Sequence, residues 1–139
     1  MIKINLVVVG KVKEKYFTDA INEYSKRLSK YCKLEIITLK DEKLPTVLNE
    51  SNCNIVKEKE AALILSKINT PNSYTFVLDE KGKEYTSVEL SQKIDKVMTV
   101  GNSTINFVIG GSLGLANSIK TKASELISFS KLTFPHQLI

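Results

Sequence analysis

Thr104-Ile105-Asn106-Phe107-Val108-Ile109-Gly110-Gly111-Ser112-Leu113-Gly114 is the stretch on which the fold turns. Six largely β-prone residues run into a glycine pair, and a short helical pattern through Ala116, Ile119 and Ala123 follows. A continuous apolar run bounded by glycine reads as a buried strand, and a strand feeding a helix is half of a βαβ unit. The same grammar recurs upstream. Residues 2–9 form a β-rich run that stops at Gly10, after which Phe17, Ala20, Ile21, Tyr24, Leu28 and Tyr31 recur at helical spacing. Residues 34–39 make a second strand, residues 41–54 with Pro45 a loop, and residues 55–68 a helix closed by Asn69-Thr70-Pro71-Asn72. Residues 74–78 make a third strand that ends in a polar turn at 79–83. Thr86 and Glu89 then have the spacing of a capping box ahead of Leu90, Ile94, Val97 and Met98. Strands alternating with helices imply an α/β fold on a parallel sheet, organised as one domain over residues 1–139.

Composition narrows the class. With 42% hydrophobic and 25% charged residues the chain is neither disordered nor low in core-forming side chains. Its apolar stretches fall far short of the ~20 residues of a membrane span, and residues 1–5 lack the order of features of a signal peptide. The expectation is a cytoplasmic protein without membrane contact. Cys32 and Cys53 show neither CxxC spacing nor a neighbouring His, so plain thiols and no metal are expected. The net charge of +5 is concentrated: residues 1–40 hold nine basic and four acidic side chains, and the remaining residues hold eleven of each. An anionic partner, nucleic acid first, is expected near Lys11, Lys13, Lys15, Lys26 and Arg27.

Open parallel sheets bind ligands beyond the carboxyl ends of their strands. Residues 78–82, 110–114 and 128–136 fall there and are expected to line one pocket. The glycines match neither GxGxxG nor a phosphate loop of the GxxxxGK[ST] type. The Gly110-Gly111 pair admits either close ligand approach or a tight turn into a helix. His136 is the one histidine, and nothing around it resembles a nucleophile elbow; beside Pro135 it suits a helix start. Adjacent Asp79 and Glu80 point to opposite sides of a strand end, which suits turn residues better than an acid–base dyad.

Five blocks carry a resemblance. They are residues 9–16 (VGKVKEKY), 23–28 (EYSKRL), 78–83 (LDEKGK), 107–115 (FVIGGSLGL) and 128–137 (SFSKLTFPHQ), in that order along the chain. Together they resemble the RlmH family, bacterial ribosomal RNA methyltransferases of the SPOUT class. The resemblance implies a homodimeric, SPOUT-type α/β fold with a trefoil knot in its C-terminal part. It implies S-adenosyl-L-methionine as methyl donor and N3 of a pseudouridine in 23S rRNA of the ribosome as acceptor. Carried over by motif, the cofactor contacts are Leu78, Gly110, Phe129, Ser130, Lys131, Leu132, Thr133 and Phe134. The residue that takes the N3 proton is not identified. Lys11, Lys13, Lys15 and Arg27 become candidates for RNA contact.

The same resemblance implies a helix and tail beyond Gln137, whereas the sequence stops at Ile139. The expectation is therefore an incomplete knot and weak activity. The alternative function is a truncated, non-catalytic paralogue that binds cofactor or ribosome as a dimeric module.

Overall fold

The structure is a computed structural model, described for residues 1–135 and 137–139. The expected helix start at His136 lies outside the described residues. Among the described residues nine elements follow in chain order: β1 (Ile2–Val9), α1 (Lys15–Leu28), β2 (Cys32–Leu39), α2 (Glu50–Ile68), β3 (Ser73–Glu84), α3 (Ser87–Thr99), β4 (Thr104–Ile109), α4 (Asn117–Lys122) and β5 (Glu125–Ser128). All strand pairs are parallel and the sheet order is β2-β1-β4-β3-β5. The parallel α/β architecture expected from the sequence is therefore present.

Two apolar layers cover the sheet. On one side Val7, Val9, Val77 and Val108 meet Ala61, Ile64 and Ile68 of α2 and Ile119 of α4. In the other layer Phe76, Ile105 and Ile127 pack with Val97 and Ile94 of α3, and Phe76 stacks on Phe107 at 5.2 Å. One polar rung crosses the middle of the sheet. Asn5 and Asn106 are register partners, as are Asn106 and Thr75. Asn5 Nδ2 donates to Asn106 Oδ1 at 2.9 Å, and Asn106 Nδ2 donates to Thr75 Oγ1 at 3.1 Å. Sliding any of these strands by one residue would leave buried amides without partners, so the rung fixes register.

The structure corrects three local readings. Residues 50–54 are helical, because the Asn49 side chain accepts the Asn52 N–H at 2.8 Å and starts α2 ahead of residue 55. Residues 79–83 do not end β3. Leu78 and Lys83 both pair with Ile127, so the intervening residues form an excursion before the strand resumes. The Asp79 carboxylate accepting the Lys81 N–H at 3.0 Å tightens that excursion. The third correction is β5, a fifth strand that the pattern of the sequence does not indicate. The capping box on α3 is present as expected, with Thr86 Oγ1 accepting from Glu89 N and Glu89 Oε1 accepting from Thr86 N, both at 3.1 Å. Helix α1 spans the expected periodic face, yet none of its residues is buried, and Tyr31 falls beyond its end. Cys32 and Cys53 are free thiols.

Candidate functional site

The carboxyl ends of β3, β4 and β5 converge on one cavity of about 320 Å³. Each wall has a local cause. The excursion after Leu78 contributes Leu78, Asp79 and Glu80. Gly82 permits it to lie against β5, since a Cβ there would come within 2.6 Å of the Ile127 backbone. The second wall is the turn after β4, with Gly110, Gly111, Gly114 and Leu115. Gly114 N donates to Gly111 O at 2.9 Å, and Gly114 alone of these three glycines has positive φ, at 85°. The glycine pair is small for a different reason. A Cβ on Gly110 would meet the Leu115 side chain at 2.6 Å, and one on Gly111 would meet the Glu60 carboxylate at 2.9 Å. Glu60 is itself buried and accepts the Glu42 N–H at 3.1 Å, so it braces the turn from behind.

The third wall is the loop after β5, with Phe129, Ser130, Leu132, Thr133 and Phe134. Ser130 shapes it: its carbonyl accepts from Ser128 Oγ at 2.8 Å and its hydroxyl accepts from Leu132 N at 3.0 Å. Phe129, Leu132 and Phe134 are 55%, 72% and 40% exposed and form an apolar rim. The three sequence segments thus meet in one cavity. Seven of the eight cofactor candidates line it, and Lys131 does not.

Lys120 on α4 stands outside the motifs of the sequence, yet it lines the cavity with its Nζ 2.9 Å from Asp79 Oδ2. No local pattern marks it, because its partner lies 41 positions earlier. Burial by itself pushes the Asp79 carboxyl up. The Lys81 N–H and the Lys120 ammonium outweigh that, and the group is held below its ordinary value and stays ionised. Asp79 is thus more than a turn residue, and its lowered pKa makes its carboxylate a weak proton acceptor. Among the described residues no group of His, Cys, Asp and Glu has the arrangement of a metal site.

The basic candidates lie elsewhere. Lys11 and Lys13 are exposed on the β1–α1 connection, which leaves the sheet at the same carboxyl edge as the cavity. Lys15 and Arg27 are exposed on α1 and pair with Asp19 and Glu23, each at 3.0 Å, and Arg27 also lies 5.6 Å from the Tyr24 ring centre.

A family profile described as "Predicted SPOUT methyltransferase" matches residues 2–139. The chain belongs to the SPOUT methyltransferase family. It is 55% identical over 135 residues to the ribosomal RNA large subunit methyltransferase H of Clostridium botulinum strain Hall, covering 97% of this chain and 84% of that one. The identically named proteins of Clostridium acetobutylicum and Bacillus pumilus are 53% and 51% identical, over 97% and 98% of this chain and 84% and 85% of theirs. Methyl transfer is therefore the chemistry of this SPOUT protein.

Proposed function

We propose that the protein transfers a methyl group from S-adenosyl-L-methionine to N3 of a pseudouridine in 23S rRNA of the large ribosomal subunit. The observation that carries this reading is the 55% identity, over nearly the whole chain, to a relative named for large-subunit ribosomal RNA methylation. That shared name favours an enzyme over the non-catalytic module.

The cavity fits such a donor. Ligand sites of roughly 300–1,000 Å³ with apolar walls and a few convergent polar groups are typical for nucleoside-sized molecules. Leu78, Leu132 and Phe134 offer apolar surface to an adenine, and the backbone of the Gly110 turn and of residues 129–134 offers hydrogen-bonding groups beside it. When bound, the donor supplies an electrophilic methyl on a sulfonium, chemistry that needs no metal. The protein's contribution is to hold donor and acceptor in line, which the Ser130-braced loop and the closely packed glycine turn support.

Lys11, Lys13, Lys15 and Arg27, outside the cavity, supply charge for RNA phosphates, a role that suits their exposure. A homodimer is the assembly we propose, because Tyr16, Tyr24 and Leu28 of α1 and Leu132 of the cavity loop leave large apolar side chains exposed. The C-terminal trefoil knot and the cytoplasmic location belong to the same reading. Ribosomes lacking the modification, incubated with the protein and methyl-tritiated donor, should acquire label at one pseudouridine N3. Label at another nucleotide, or none, would refute the assignment.

A further inference from the structure

Charge inside the cavity is uneven. Asp79 and Lys120 neutralise each other at 2.9 Å, and Asp79 is only 10% exposed. Glu80 lines the same cavity at its exposed side and has no ion pair among the described residues. Lys131, on the facing loop, does not reach the lining. The described side chains of the cavity therefore carry two carboxylates against one ammonium, an excess of one negative charge located at Glu80.

We propose that Glu80 is a specificity-determining residue that favours the cationic methyl donor over its demethylated product. This rests on the S-adenosyl-L-methionine reading of the cavity. The donor carries a sulfonium, an ammonium and a carboxylate, a net charge of plus one by ordinary chemistry. In the transfer the sulfur–methyl bond breaks and the sulfur keeps the electron pair. The new bond forms at the acceptor nitrogen, whose proton leaves to solvent. The positive charge thus departs from the cavity, and the product is a net-neutral thioether. A carboxylate without a counter-ion attracts the first species and is indifferent to the second, which weakens product retention after each turnover. Asp79 cannot serve this purpose, because its charge is already matched by Lys120 and the Lys81 N–H. Glu80 is exposed and screened, so its effect is modest, about three- to tenfold in affinity for a unit charge several ångströms away.

Calorimetric titration of the wild-type, Glu80→Gln and Glu80→Lys proteins with S-adenosylmethionine, S-adenosylhomocysteine and the cationic amine analogue sinefungin tests this. Glu80→Gln should weaken the two cationic ligands about three- to tenfold and the neutral product less than about twofold, with a wider gap for Glu80→Lys. The gap should shrink in about 0.5 M salt. Equal loss for all three ligands, or no loss for any, would overturn the role of Glu80 while leaving the cavity's assignment standing. No binding of S-adenosylmethionine by the wild-type protein would overturn the cofactor reading and this inference with it.

Discussion

Gly111 shows how tightly single residues are specified around the cavity. A methyl there would lie 2.9 Å from Glu60 Oε1 and 3.3 Å from Val9 Cγ1, and both neighbours are buried. Gly111→Ala should destabilise the fold by about 1–3 kcal/mol, the usual cost of overpacking a filled site, and push the turn into the cavity. Urea denaturation reads the first effect and donor calorimetry the second. Tyr85 offers a separate check, away from the cavity. Burial, then its hydrogen bond to Glu125, pushes its phenol up to about 12. A folded value above the unfolded one near 10 means that this contribution to stability is complete below pH ~10 and is lost as pH rises through about 12. Phenolate absorbance should show one of the five tyrosines titrating late, and Tyr85→Phe should remove that late step.

At the scale of elements, local chemistry is legible wherever the decisive partner lies within a turn. Thr86 and Glu89 announce α3 because both hydrogen bonds of the box span three residues. Thr86→Ala should cost about 1 kcal/mol, measured as a shift in the denaturation midpoint at constant slope. The true start of α2 is hidden in a polar stretch that reads equally well as loop until the Asn49 cap is seen. The excursion in β3 and the brevity of β5 are illegible for a stronger reason. β5 is four residues long, and its ties are to β3 and to side chains such as Tyr85 and Lys93, both distant in sequence. Helix α1 is the reverse case. Its amphipathic pattern is plain, but periodicity says only that a face is apolar, and on this face Phe17 and Ile21 are half-buried while Tyr24 and Leu28 are exposed.

At the scale of the whole molecule, the proposed RNA role of the basic excess in the first 40 residues rests chiefly on one connection, β1 to α1. Lys11 and Lys13 are exposed there and Lys15 is committed to Asp19, so the first two are expected to dominate any phosphate binding. Ribosome binding by a Lys11→Ala, Lys13→Ala, Lys15→Ala protein should fall, and its salt dependence should flatten by about 0.7–0.9 in log–log slope for each phosphate no longer neutralised. An unchanged slope would return these lysines to an ordinary solvated face.

The sequence by itself determined the alternation of strands and helices, the α3 cap and the three segments that surround the cavity, because each rests on spacing within a few residues or on a motif read whole. Only the tertiary structure decided the order β2-β1-β4-β3-β5, the polar rung of Asn5, Asn106 and Thr75, the brace of Glu60 behind Gly111, and the pairing of Asp79 with Lys120. These interactions join residues 31 to 101 positions apart. Their formation depends on which strands lie side by side and in which register, a property of the assembled sheet that no local window contains.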